Sequence, residues 1–208
     1  MNIIDSNNLI PDKGVIEKIG REHPFSKNLQ ESINHLTIKL STGTSEHIDF
    51  DMANRNATLH IFPETPHKVH YEYILFHEFA HVADRLNPDF GYTDDKMKEL
   101  NNNEKRRLTE IWNCHIDARL NAKGLYHLGE KRELILSLIC GKVQALPYTV
   151  EGRLEGRVCS LKSLGSKNAE EIIRTTWNNP GIIISYDDLI RIAKTDKIEG
   201  LVVEVRIT

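Results

Sequence analysis

The sequence predicts an α+β fold, a small antiparallel or mixed sheet packed on helices, and three observations carry that expectation. Over residues 33–62, apolar and polar side chains alternate in three short runs. Over residues 67–86 the stretch HKVHYEYILFHEFAHVADRL contains neither Gly nor Pro and is largely apolar. Beyond residue 100 the patterning is mostly helical, until the chain closes on the strand-like run LVVEVRI.

A short helix is expected over residues 11–21. In INHLTIKL, Leu36, Ile38 and Leu40 alternate with Thr37 and Lys39. In HIDFDM, Ile48, Phe50 and Met52 oppose Asp49 and Asp51, and in NATLHIF, Ala57, Leu59 and Ile61 share one side. Successive side chains on a strand point to opposite faces, so each run has one face for a core. The connections STGTS and ANRN are turn-like, and together the three runs suggest an antiparallel meander. Pro63 and Pro66 end the strand signal, and the helix that follows runs to Asn87-Pro88. NPDFGYTDD reads as a loop, and a second long helix is expected over residues 103–123, stopped by Gly124. Further helices are expected over residues 131–143, 150–164, 169–177 and 186–194, and a last strand over 201–207. With no repeat or low-complexity linker, one domain over residues 1–208 is the simplest organisation. Residues 1–123 would supply the sheet and the two long helices, and residues 124–208 a supporting layer.

Composition narrows the function. Hydrophobic residues make up 39% and charged residues 27% of the 208, with a net charge of -3. Without a basic excess there is no electrostatic case for nucleic acid or an anionic membrane as partner. No run is long enough to span a bilayer, and MNIIDSNNLIPDKG lacks the features of a secretory signal. Cys114, Cys140 and Cys159 are scattered and odd in number, which suggests reduced thiols and a cytoplasmic protein.

Within the apolar helix, YILFHEFAHVA places His77, Glu78 and His81 among Phe79, Ala80 and aliphatic flanks. Burying an ionisable group without a partner costs several kcal/mol, so the three need a common one. His77 and His81 are four residues apart, one turn along the same helix face. That spacing suits two imidazoles on one tetrahedral zinc. Glu78 is rotated about 100° from His77 and can reach the water that the metal activates, as general base. A chance HExxH is expected in only a few per cent, on the order of magnitude, of chains this long, and it would more often sit among charged neighbours.

Residues His77-Glu78-Phe79-Ala80-His81 resemble the zinc motif of the zincin metallopeptidases. The resemblance covers residues 33–123 and implies a zincin-like fold, a Zn2+ cofactor and hydrolysis of peptide bonds. In that superfamily a strand at the sheet edge precedes the HExxH helix and aligns an extended substrate. By resemblance, residues 56–62 would be that edge strand, pairing with the backbone of a peptide or protein substrate.

The third ligand must come from elsewhere, because Asp84 and Asn87 occupy the positions that an extended HExxHxxGxxH motif would use. The second helix, EIWNCHIDARLN, offers Glu110, His115 and Asp117. Leu108, Ile111, Trp112, Ile116, Ala118 and Leu120 form an apolar face that includes His115, which favours His115 as ligand or as a core histidine. Asn113, Asp117 and Asn121 form a stripe at spacing four, with Glu110 beside it, which by itself would be a solvated face. Trp112, Asn113, Asp117 and Asn121 resemble the WN…D…N helix of a group of predicted zincins that accompany von Willebrand A modules. That resemblance implies Asp117 as the third ligand, with His115 the alternative and Glu110 behind both. Asp84 is a candidate to hold a ligand imidazole in one tautomer, or a plain partner for Arg85. Arg119 could orient an active-site carboxylate, but reads more readily as a surface ion-pair residue. Tyr92, Tyr126 and His127 are suited to stabilise an oxyanion.

Other readings compete. A deformylase-like hydrolase takes a cysteine ligand ahead of its HExxH helix, and no cysteine precedes Cys114 here. A non-catalytic zincin-like domain would bind a peptide around a structural zinc, but such a site has no use for Glu78. A protein with no metal would have to find separate buried partners for both histidines.

Overall fold

The computed structural model of the protein describes residues 1–42, 46–67, 71–125, 161 and 164–198. They have a mixed α+β architecture with one four-stranded mixed sheet and seven α-helices among the described residues. Two compact units emerge, Met1–Pro88 and Asp89–Thr208. The division falls in the loop between the two long helices, so the second helix groups with the C-terminal helices and not with the sheet. None of the described helices is long and apolar enough to cross a membrane.

The first unit contains strands β1 (Asn2–Ile4), β2 (His35–Leu40), β3 (His47–Asp51) and β4 (Asn56–Ile61) and helices α1 (Lys13–Glu22), α2 (Leu29–Ser32) and α3 (Tyr71–Leu86). The three expected strands form, and Leu36, Ile38, Ile48, Ala57, Leu59 and Ile61 are buried as the alternation predicts, whereas Leu40 and Met52 at the ends of their runs are exposed and Phe50 is half-buried. Their pairing corrects the meander. The strand order is β1-β2-β4-β3, with β1/β2 and β2/β4 parallel and only β3/β4 antiparallel. The reason lies in the two connections. After β2 the chain passes beyond the position of β4 to lay down β3. It then returns through a tight turn to fill the gap.

That turn is built by Asp51, whose carboxylate accepts from the Ala53 and Asn54 amides at 3.0 and 3.1 Å and from the Asn54 side chain at 2.7 Å. Arg55 takes a left-handed backbone (φ 52°) to complete it. The Asn34 amide then donates to the Arg55 carbonyl at 2.8 Å, which locks the start of β2 beside the start of β4. A second correction follows. Residues 56–62 are not an edge strand, because β4 is hydrogen-bonded on both sides, to β2 and to β3. Among the described strands the edges are β1 and β3.

The buried face of the sheet packs into one core with Ile16 and Ile19 of α1 and with Leu75, Phe79, Val82 and Ala83 of α3. Helix α1 is capped by Asp12, whose side chain accepts from the Gly14 amide, and begins at Lys13, two residues later than expected. Helix α3 begins after a 3-10 turn, Thr65–His67. Thr65 ties that turn to the sheet: its hydroxyl accepts from the Phe62 amide at 3.2 Å and donates to the buried Glu46 carboxylate at 2.8 Å.

In the second unit the described helices are α4 (Asp94–Lys98), α5 (Asn102–Ala122), α6 (Ala169–Asn178) and α7 (Tyr186–Thr195). Helix α5 packs against both α6 and α7. It starts in a capping box between Asn101 and Glu104. It ends as Gly124 enters the left-handed region (φ 70°) and the Leu125 amide reaches back to the Leu120 carbonyl at 3.0 Å. Trp112, Phe90, Tyr92 and Tyr186 form an aromatic cluster with ring centroids 4.8 to 6.0 Å apart. Helix α4, capped by Thr93, begins in the last two residues of the stretch read as loop. β1 and α2 were not expected either, being only three and four residues long. The helix expected over 131–143, most of that over 150–164 and the strand expected over 201–207 lie outside the described residues.

Leu59 sits on a strand paired on both sides and is fully buried. Leu59→Ala should therefore lower unfolding free energy by about 3 kcal/mol, within the range for aliphatic truncations in a packed core. Chemical denaturation of both forms checks this, and a loss under about 1 kcal/mol would contradict a tightly packed sheet.

Candidate metal centre

Helix α3 carries two stripes. Leu75, Phe79 and Val82 face the sheet core. Shifted by two residues, and hence about 200° around the helix, run His77, His81 and Asp84. Both stripes are enclosed: His77 is 0%, Glu78 3% and Asp84 3% exposed, and only His81 is partly exposed. A helix enclosed on all sides normally carries no ionisable groups, so this burial sharpens the question posed by the motif.

The histidine pair has the spacing a shared metal requires. Zinc–nitrogen bonds of about 2.0–2.1 Å at a tetrahedral angle place two imidazole centroids about 5 Å apart. The His77 and His81 centroids are 5.2 Å apart, with ring planes at 66°. Tyr73, one turn before His77 on the same stripe, sets its ring edge-on to His77 at 6.0 Å. Asp84, one turn after His81, is buried. His77 and His81 thus have the type and spacing of two zinc ligands.

The helix is held from the α1 side by His23. This buried side chain sits just past the end of α1, and its Nε2 donates to the Phe76 carbonyl at 3.1 Å. Its Nδ1 accepts from the Phe25 amide at 3.4 Å. A carbonyl can only accept and an amide N–H can only donate, so the network assigns a neutral ring protonated on Nε2. The bond lands on the residue immediately before His77 and helps set the rotation of α3. Nothing in the period of the sequence marked His23.

The candidates for third ligand lie on α5, in the second unit. Asp117 is 0% exposed, so the stripe it belongs to is not a solvated face at that position. His115 is 2% exposed. Burial above all, and then the nearby Arg119 guanidinium, holds the His115 imidazole well below its usual pKa, so the ring is neutral. Among the described residues its Nδ1 has no hydrogen-bond partner. His115 and Asp117 are two residues apart, about 200° around α5, so they are alternatives and not a pair. Glu110 is only partly buried. Tyr92 is committed elsewhere: its hydroxyl donates to Asp94 at 2.6 Å and its ring packs on Trp112 and Tyr186. Tyr126 and His127 lie outside the described residues.

One set of three ligating side chains escaped the sequence reading. His47, Asp49 and His60, on β3 and β4, bring one donor atom each to within 4.8 Å of one another. Only the pairing register unites them, although HID and the single His60 each fall on the polar phase of their strands.

Comparison of the chain with protein-family models, with curated proteins and with solved structures finds no match.

His23→Ala should cost about 2 kcal/mol, because it leaves a buried carbonyl without that donor and opens a small cavity. Denaturation midpoints check it; an unchanged midpoint would show that His23 does not hold α3.

Proposed function

We propose that the chain is a zinc-dependent metallopeptidase with a zincin-like fold. The observation that carries the reading is the pair of imidazoles 5.2 Å apart on an enclosed helix, with the buried Glu78 beside them. His77 and His81 would hold the zinc. Asp117 is proposed as third ligand on the resemblance of its helix, and His115 is kept as the alternative on its neutral, buried imidazole. Zinc, when bound, supplies the Lewis acidity that makes water nucleophilic at neutral pH and polarises a peptide carbonyl.

Glu78 is the proposed general base. It takes a proton from the attacking water and returns it to the departing amine, the double duty expected of a carboxylate in this position. Its enclosure keeps bulk water from competing for that proton. The substrate is proposed to be an extended peptide. The strand offered to it is β3 and not β4, because β3 is an edge and is the strand against which α3 packs. A peptide laid along β3 would extend the sheet by backbone hydrogen bonds. The setting proposed is the cytoplasm.

Glu78→Gln keeps the volume of the side chain and removes its basicity. Peptide-library hydrolysis should fall by about 10² to 10⁴ fold, the usual share of a general base, with zinc content unchanged. Retained activity in this variant would refute the role of Glu78. Zinc per chain, measured in the wild type, Asp117→Ala and His115→Ala, names the third ligand by the variant that loses metal. A wild type that takes up no zinc at His77 and His81 ends the peptidase reading.

A further inference from the structure

The polar face of the β3–β4 hairpin carries ligating groups that the HExxH centre does not use. His47 and His60 are direct cross-strand partners in the antiparallel register. Their imidazoles stack with centroids 4.3 Å apart and planes 4° from parallel. Asp49, two residues along β3, emerges on the same face as His47, diagonal to His60. Its Oδ2 lies 3.1 Å from His60 Nε2.

We propose that His47, Asp49 and His60 form a second divalent-metal site, a surface two-histidine, one-carboxylate site suited to zinc. In a tetrahedral zinc site adjacent donor atoms are about 3.3 Å apart. The Asp49–His60 pair already has that separation, and all three donors lie within 4.8 Å. Rotation of side chains that are not buried closes the remaining edges without moving the backbone. Two imidazoles with one carboxylate favour zinc and its late first-row neighbours over calcium or magnesium, which take oxygen ligands. The Asp49 side chain is 72% exposed, so the ion has an entry path and a fourth position for water. A simple Asp49–His60 ion pair would use two of the three groups and contribute little at such an exposed position. A metal uses all three.

The site would act as a staple. Among the described strands β3 has one neighbour, and an ion shared by His47 and His60 would hold it to β4 in the observed register. Binding to the folded hairpin alone raises stability as ligand concentration exceeds the dissociation constant. The ligand set shares no residue with α3, so this inference stands or falls apart from the peptidase reading.

The test counts zinc bound per full-length chain after chelator stripping and re-equilibration with zinc. His60→Gln and Asp49→Asn are expected each to bind one equivalent fewer than the wild type, whatever number the wild type binds. Competition with a chromogenic chelator should show that equivalent at least about tenfold weaker in each variant, roughly one ligand's worth. Zinc should raise the wild-type unfolding midpoint more than that of either variant, while the metal-free midpoints agree, which shows that the variants fold. Equal stoichiometry and affinity in wild type and both variants overturns the proposal, as does a wild type that binds no zinc.

Discussion

The constraint on which the first unit depends is the enclosure of an ionisable trio on α3. His77 and Glu78 are as buried as Leu75 and Phe79. Uncompensated, each would cost several kcal/mol, or be forced neutral. The two histidines lie on one side of the helix, and Glu78 lies between that side and the core face. Leu75, Phe79 and Val82 take the sheet, so the histidine stripe is turned away from the hydrocarbon core by the helix geometry itself. His23 and Thr65 then hold the helix at its side and at its entry. In the proposed function one zinc ion would engage both imidazoles, with Glu78 acting on the water.

The sheet topology changes how a substrate would be met. With β4 paired on both sides, its backbone donors and acceptors are consumed, and strand addition there would require breaking a ladder. Among the described strands β3 pairs only with β4, to which it runs antiparallel. Edge strands of this kind invite pairing with other chains and are usually managed by charge or by a local device. The Asp49 and Asp51 side chains supply charge, and the proposed staple at His47 and His60 would supply the device. A strand offered for substrate and a strand held firmly in register are compatible requirements. The first uses the outer backbone edge; the second uses side chains on one face.

In the second unit, α5 shows how burial separates candidates that a helical wheel ranks only by phase. Asp117 and Asn121 belong to one polar stripe, yet Asp117 is fully enclosed and Asn121 is not. Asp117 is proposed as a ligand on the resemblance of its helix, and its burial is compatible with that role. His115, neutral and enclosed on the other side of the helix, is equally able to offer a nitrogen lone pair.

Much of the architecture was legible because it rests on local rules. Alternation of Leu36, Ile38, Ala57, Leu59 and Ile61 located the strands, since period two is a property of the extended backbone. The spacing of His77 and His81 placed two ligands on one face, since 3.6 residues per turn is a property of the helix. Gly124 marked the end of α5 because only a residue tolerant of positive φ closes a helix that way. Strand order, the edge role of β3, the hold of His23 on α3 and the cluster of His47, Asp49 and His60 were decided by tertiary structure. Each depends on which segments, 11 to 53 residues apart, come to lie side by side. Periodicity reports the face a side chain takes on its own element; only the packing of the chain decides what that face meets.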